Sequence, residues 1–222
     1  MRIDKLALLS GFFLSAPAMA AQSPAIPTVS IEYGAMFDFV CSEKSSYKID
    51  PRWVQELEGR LPALRREWEA EGRQLLKMAA KISGRPFIQK ELAVTLTLCS
   101  FPSMGQPLLV NARYTMKTFV ENPNTDQVFL STIFHEILHA YLDGFKQETP
   151  LIKKYRMESE GVKSHLHLLA LQKAVYLKLG RNAVLKDVIA KDQSLPRPDY
   201  KRAWEIVNGP EGYESFIHEL KR

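Results

Sequence analysis

The feature that most constrains the fold of this chain is a nearly uncharged segment that carries two histidines and one glutamate. Between Leu130 and Leu142 the only charged residue is Glu136, which stands in the pattern His135-Glu136-x-x-His139. Residues at positions i and i+4 share one face of an α-helix, so the segment predicts a helix with both imidazoles directed to one point. Three polar side chains on an otherwise apolar helix are costly to bury unless they have partners. The pattern therefore predicts a buried polar site.

Two imidazoles one helical turn apart are a common pair of ligands for zinc. Glu136 is rotated by about 100° from His135, so its carboxylate can flank the metal without binding it. Zinc lowers the pKa of a bound water towards neutrality, and a nearby carboxylate can take the proton. We therefore predict that His135 and His139 bind Zn²⁺ and that Glu136 is the catalytic general base. In the competing interpretation both histidines are hydrogen-bonded core residues, and no metal binds.

The first twenty residues have the composition of an export signal. Arg2 and Lys5 precede an apolar run over residues 6–16, and Ala18-Met19-Ala20 supplies a small-x-small cleavage site. The apolar run is too short to cross a bilayer and no comparable run follows, so we expect no membrane insertion after cleavage. The sequence thus predicts a bacterial-type signal peptide at residues 1–20 and a periplasmic or secreted protein.

The remaining chain is predicted to form a flexible lead-in at 21–27 and one domain at 28–222, a length sufficient for a substantial core. Without Arg2, Asp4 and Lys5, the 30 basic and 25 acidic residues of the chain fall to 28 and 24. This mild positive charge is scattered and lacks interleaved aromatic residues, so it does not indicate nucleic-acid binding.

Cys41 and Cys99 are the two cysteines of the sequence. In an exported protein an even pair favours one disulfide, which here would close a loop of about 57 intervening residues. Two buried thiols are the alternative, and the spacing is not that of a zinc ribbon.

Alternating apolar residues predict two strands before the motif helix, one within 28–40 at Val29, Ile31 and Tyr33, and one at 93–101. Further strands are expected at 107–116 and 127–130. Asp50-Pro51 predicts a helix start, and Pro62 a kink or break in that helix. Ser131 is the expected N-cap of the motif helix, and Gly144 its C-cap. Further helices are predicted to start at Thr149-Pro150 and to occupy 161–179, closed by Gly180, and then 183–191, 199–207 and 212–221.

The arrangement resembles the zincin superfamily of metalloproteases, through the motif His135-Glu136-Ile137-Leu138-His139, the strands before it and the helix after it. The resemblance covers about residues 93–180 and is specific only within the motif. It implies an α+β fold in which a small, mostly antiparallel sheet packs on the active-site helix and a second long helix. The segment 108–114 would be the edge strand that binds a peptide or protein substrate by strand addition.

The resemblance also implies a third zinc ligand. The metzincin pattern is excluded, because Leu142 and Phe145 stand where its glycine and histidine would be. The gluzincin pattern fits better, with Glu158 or Glu160 as ligand. However, Val162 and Ser164 occupy the positions where that pattern usually has an acidic residue.

Histidines offer another solution for the third ligand. His165 and His167 lie about 200° apart on a helix, so they cannot both face one metal ion. His165 shares its face with Gln172 and Tyr176, a polar stripe that needs partners when buried. We therefore favour His165, while Glu158, Glu160 and His167 stay open as alternatives.

These implications together predict an exported zinc metallopeptidase that hydrolyses peptide bonds. Such a reaction needs a group that stabilises the oxyanion, and Tyr141, Tyr155 and Tyr176 are the candidates. A fold does not determine a substrate. The alternative is a zinc-binding envelope protein without peptidase activity, acting as a binding or structural module.

Overall fold

Alternating apolar residues build the first strand of a mixed sheet in the computed structural model, which describes residues 25–45, 47–143, 145 and 149–221. From this strand, β1 (Thr28–Tyr33), the side chains of Val29 and Ile31 are buried in the core. The other strands are β2 (Glu91–Thr97), β3 (Met104–Gly105) and β4 (Leu108–Asn111), in the spatial order β1-β2-β4-β3. The predicted signal peptide, residues 1–20, and part of the lead-in lie outside the described residues.

The sheet is mostly parallel, so the prediction of a mostly antiparallel sheet is wrong. β1 pairs in parallel with β2, and β2 pairs in parallel with β4, whereas the short pairing of β3 with β4 is antiparallel. A helical crossover separates β1 from β2, and such a connection returns the next strand in the same direction. Alternation of apolar residues identifies strands but carries no information about their direction.

The crossover begins with α1 (Ala35–Lys44). The strand predicted from the alternation of Val29, Ile31 and Tyr33 is confirmed as β1. A disulfide between Cys41 and Cys99 joins α1 to the segment that follows β2, with the two Cα atoms 6.4 Å apart. This pairing agrees with the prediction from the even cysteine count.

The crossover continues through α2 (Pro51–Glu67) and α3 (Arg73–Ser83). Asp50 caps α2 as predicted, because its carboxylate accepts the backbone N–H of Arg52 at 2.8 Å. The sequence predicts a kink or a break at Pro62; no break occurs, since α2 continues to its end at Glu67. Pro62 is exposed, so water can solvate the carbonyl that loses its helical hydrogen bond. The irregularity comes later, as a π-helical turn at Trp68–Gly72.

The motif helix, α4, spans Asp126–Leu142 and starts earlier than the sequence pattern predicts. Thr125 is its N-cap, and the Thr125 hydroxyl accepts the backbone N–H of Val128 at 3.3 Å. The predictions of a strand at 127–130 and of Ser131 as the N-cap are therefore wrong. A short apolar run fits a buried strand and a buried helical turn equally well, and here the capping residue in front of it decides.

The C-terminal part is helical, as predicted, with α5 (Pro150–Lys154), α6 (Glu160–Lys178), α7 (Asn182–Ser194), α8 (Pro198–Val207) and α9 (Gly212–Leu220). Thr149 caps α5, and Ser159 caps α6. Gly180 follows α6 in the left-handed conformation, with φ 70°. Gly144, the predicted C-cap of α4, lies outside the described residues. α6 packs against α3, α4, α7, α8 and α9.

One cluster of buried apolar residues joins the sheet to these helices. α4 contributes Ile133, Phe134, Ile137 and Leu138, all fully buried. It packs against β3 and β4 as well as against α6. The motif helix is therefore a core element of the fold. None of the described helices combines the length and the apolar composition needed to cross a membrane.

Candidate metal centre

Three histidines from two core helices converge on one point. His135 and His139 lie one turn apart on α4, and His165 comes from α6. Their ring centroids are separated by 5.0 Å, 5.3 Å and 4.9 Å, and one ligand nitrogen from each lies within 4.8 Å of the others. Imidazoles at tetrahedral positions around a zinc ion would have their ring centroids about 5 Å apart. The three histidines are therefore close enough to bind one metal ion.

The structure brings His165, the favoured third residue, to the motif and directs the alternatives elsewhere. His167 points away, and its Nε2 lies 2.9 Å from a carboxylate oxygen of Glu219. Glu158 accepts hydrogen bonds from the Arg202 guanidinium. Within the described part of the chain, the only group of three or more metal-binding side chains is His135, His139 and His165. Glu160 is exposed and paired with a lysine on its own helix.

Hydrogen bonds at Nδ1 fix which nitrogen of His165 is free. The Nδ1 atom lies 2.6 Å from the Gly161 carbonyl oxygen, which can only accept, so Nδ1 carries the proton. The lone pair of the neutral ring is then on Nε2, a buried atom without a hydrogen-bond partner in the described structure. A backbone carbonyl on the far nitrogen is the usual support of a metal-binding histidine.

Gln172 supports His135 in the same way. Its side-chain nitrogen donates to the Ser131 hydroxyl at 2.9 Å, which orients the amide. The Gln172 Oε1 atom then faces His135 Nδ1 at 3.1 Å and accepts its proton. The Nε2 lone pair of His135 is again directed away from this support. Gln172, which the sequence pattern places on the same helical face as His165, therefore supports His135.

The three imidazoles are held in the form that binds metal ions. Burial lowers the pKa of His135 well below its usual value, and the neighbouring His139 and His165 lower it further. Burial, together with His165, lowers the pKa of His139 to about 4. Burial also lowers the pKa of His165. All three rings are therefore neutral at pH 7, and metal binding need not displace a proton from them.

Glu136 lies beside this cluster without belonging to it. The residue is 3 % exposed, and its Oε2 has no hydrogen-bond partner within the described structure. Burial raises the pKa of Glu136 to about 8, although the positive charge of Lys191 opposes this shift. An unpartnered buried carboxyl next to a cluster of three histidines has the position that the sequence predicts for a general base.

A tyrosine that the sequence did not indicate completes the cluster. The Tyr200 hydroxyl, on α8, lies 3.5 Å from His135 Nε2, and the Tyr200 ring lies 4.4 Å from that of His165. Burial and then Glu136 raise the pKa of Tyr200, so the phenol keeps its proton. No spacing in the sequence links α8 to the motif.

The three tyrosines named from the sequence have other partners. Tyr141 donates to the Arg85 carbonyl at 2.7 Å, and Tyr155 donates to Glu211 at 2.8 Å. Tyr176 is fully buried, with its ring against Phe134. Within the described residues, none of these three lines the cavity at the histidine cluster.

The edge strand of the sheet is also different from the predicted one. The segment 108–114 forms β4, which lies between β2 and β3, and then a 3-10 turn at Arg113–Thr115. The edge strand on this side of the sheet is β3, which packs directly on the motif helix. A Cβ atom at Gly105 would lie 2.5 Å from the Cβ of His139 and 2.8 Å from the Glu136 carbonyl oxygen. Only glycine allows this approach.

A cavity of about 520 Å³ opens beside the cluster. Its wall includes His135, Glu136 and Tyr200, and continues along the segment between β2 and β3. This is the size of a typical small-molecule or peptide site.

Comparison with known proteins gives no further assignment: no family model, curated protein or solved structure matches the chain.

Proposed function

We propose that this protein is a zinc-dependent metallopeptidase of the zincin type. The observation that supports the proposal most strongly is the meeting of His135, His139 and His165 next to the unpartnered carboxyl of Glu136. In this reading the three imidazoles would hold Zn²⁺, with His135 and His165 binding through Nε2. When bound, zinc polarises a carbonyl group and lowers the pKa of water.

The chain's own residues then have distinct tasks. Glu136 takes a proton from the attacking water at its carboxylate and passes it to the leaving amine. Tyr200 keeps its proton and donates a hydrogen bond to the oxyanion that develops at the carbonyl oxygen as water attacks the carbon. Gln172 and the Gly161 carbonyl hold two of the imidazoles in the orientation and tautomer that metal binding requires.

The substrate would enter the cavity, where His135, Glu136 and Tyr200 share one wall. A buried wall of this kind strengthens the electrostatic interactions of the site, because water is excluded from them. We further propose that the chain acts after export, with residues 1–20 removed. The mass of the mature N-terminus would test that cleavage.

The test combines metal content and hydrolysis. The wild type should bind about one zinc per chain and cleave an unfolded protein substrate. Glu136→Gln should retain zinc and lose cleavage, because Glu136 is not a ligand. Cleavage by Glu136→Gln at the wild-type rate would reject the proposed peptidase mechanism. Zinc bound without any cleavage by the wild type would instead favour a metal-binding envelope module.

A further inference from the structure

A buried arginine lines the same cavity and has no carboxylate partner. Arg113 is 8 % exposed and follows β4 in the 3-10 turn. Its Nε donates to the side-chain oxygen of Asn111 at 3.2 Å, and its Nη1 donates to the Tyr47 hydroxyl at 2.7 Å. Within the described structure, no acidic side chain lies within ion-pair distance of it. Burying a guanidinium is costly unless an anion compensates its charge.

Aromatic rings hold this guanidinium in place. Its central carbon lies 5.2 Å from the ring centroid of Tyr47, 5.6 Å from that of Tyr114 and 5.2 Å from that of Phe119. These contacts favour the cation and restrict its rotation. Two of its nitrogens donate to neutral acceptors. Among the described residues Nη2 has no hydrogen-bond partner, so this edge can donate to a ligand in the cavity.

The charged residues of the cavity wall also favour an anionic ligand. Lys191 and Arg197 line it together with Arg113, and none of the three has a carboxylate within 4.0 Å in the described part of the chain. The acidic residues on the wall are Glu136 and Asp192. Asp192 already accepts a hydrogen bond from the Trp204 indole at 3.0 Å. The cations therefore exceed the acids that could neutralise them.

We propose that the cavity binds peptides through a carboxylate, which the Arg113 guanidinium holds and Lys191 attracts. The planar guanidinium suits a carboxylate better than a neutral amide, because it can donate two parallel hydrogen bonds. The carboxylate can be the C-terminus of the peptide or an acidic side chain. This inference rests on the proposed peptidase function for its substrate class, but binding can be measured without catalysis.

The experiment uses zinc-loaded Glu136→Gln protein, which does not turn over its ligand, and isothermal titration calorimetry. Three probes share one backbone: acetyl-Ala-Ala-Phe-Ala-Ala with a free carboxylate, its C-terminal amide, and that amide with glutamate in place of its second alanine. At least one of the two anionic peptides should bind about tenfold or more tightly than the neutral amide. The anionic peptide that is preferred identifies the source of the carboxylate.

Substitutions of Arg113 then test whether its guanidinium causes the preference for an anionic peptide. Arg113→Gln should reduce the preference for the anionic peptide over the neutral amide to about twofold or less, while binding of the neutral amide stays unchanged. Arg113→Lys keeps the positive charge but loses the planar guanidinium that donates two parallel hydrogen bonds. This variant should therefore retain only part of the preference for the anionic peptide. Arg66→Gln removes an exposed arginine away from the cavity and is the control for net charge. Thermal unfolding of each variant verifies that it is folded.

Equal binding of all three peptides to the parent protein would overturn the proposal, even if Arg113→Gln failed to fold. So would a preference that survives in folded Arg113→Gln. A wild type that never cleaves any peptide would reject the peptidase function alone, because the preference for a carboxylate is read from binding.

Discussion

Replacing Glu136 with glutamine should stabilise the metal-free protein at alkaline pH. Glu136 is 3 % exposed on a core helix, and one of its oxygens has no hydrogen-bond partner in the described structure. Burial disfavours the charged carboxylate, which raises the pKa of Glu136 to about 8. Glutamine has nearly the same shape and does not ionise. The change therefore removes a charge that the folded protein accommodates poorly.

The size of the effect follows from the two pKa values of Glu136. In the unfolded chain the carboxyl has its ordinary pKa of about 4.5, and in the folded chain the pKa is about 8. Since the folded pKa is raised, the protonated carboxyl contributes stability that is fully present below the unfolded pKa. That stability is lost as the pH rises through the folded pKa. At about 1.4 kcal/mol per pKa unit, the loss amounts to about 5 kcal/mol at most.

The buried imidazoles change the stability of the protein with pH in the opposite direction to Glu136. Burial lowers the pKa values of His135, His139 and His165, so the metal-free protein loses stability from these groups as the pH falls below their unfolded pKa. That loss is common to the wild type and to Glu136→Gln. It cancels when the free energies of unfolding of the two proteins are subtracted at each pH.

The measurement is guanidinium-induced unfolding of chelator-treated wild type and Glu136→Gln at pH 5, 7 and 9. The advantage of Glu136→Gln in free energy of unfolding should grow by about 3–5 kcal/mol from pH 5 to pH 9. Glu160→Gln changes an exposed acid and should show no such trend. A difference between wild type and Glu136→Gln that does not depend on pH would refute the reasoning. Adding zinc should shrink the difference, because the cation favours the carboxylate.

Three further predictions concern single features of the site and fold. His165→Ala should abolish zinc retention measured by elemental analysis, whereas His167→Ala should keep zinc and lower the free energy of unfolding by about 2–4 kcal/mol; the reverse result would exchange their roles. Reducing the disulfide between Cys41 and Cys99 should cost about 4 kcal/mol in denaturant unfolding, and an unchanged midpoint would contradict this. Tyr200→Phe should lower kcat about 10–1000-fold with zinc content unchanged, and wild-type turnover would exclude an oxyanion role.

The parts of the site that sequence could predict are those fixed by one helix. The spacing of His135 and His139 needs only helical geometry to bring both rings to one side. His165 was harder, because its contact with the motif depends on how α6 packs against α4. Its shared face with Gln172 was still a usable signal, since both residues are buried and polar in a long apolar helix.

The features that sequence could not predict depend on packing between distant segments. Tyr200 reaches His135 only because α8 packs on α6, and no local pattern records that contact. Likewise, the resemblance to zincins indicated the segment 108–114 as an edge strand, whereas β3 pairs with the edge that was expected to be free. The prediction of a strand at 127–130 was wrong for a different reason, because a short apolar run fits a buried strand and a buried helical turn equally well.

Buried polar atoms that lack hydrogen bonds are a further reason to expect a ligand at this site. In the described structure, the buried side-chain polar atoms without a partner are Trp68 Nε1, Glu136 Oε2 and His165 Nε2. Two of these three atoms belong to the histidine–glutamate site, where an unsatisfied buried group costs about 1–3 kcal/mol. An ordinary core would place apolar side chains there, and most of the other buried residues of α4 and α6 are apolar. A bound metal ion would satisfy His165 Nε2, and a water on that metal would satisfy Glu136, so one ligand offsets both costs.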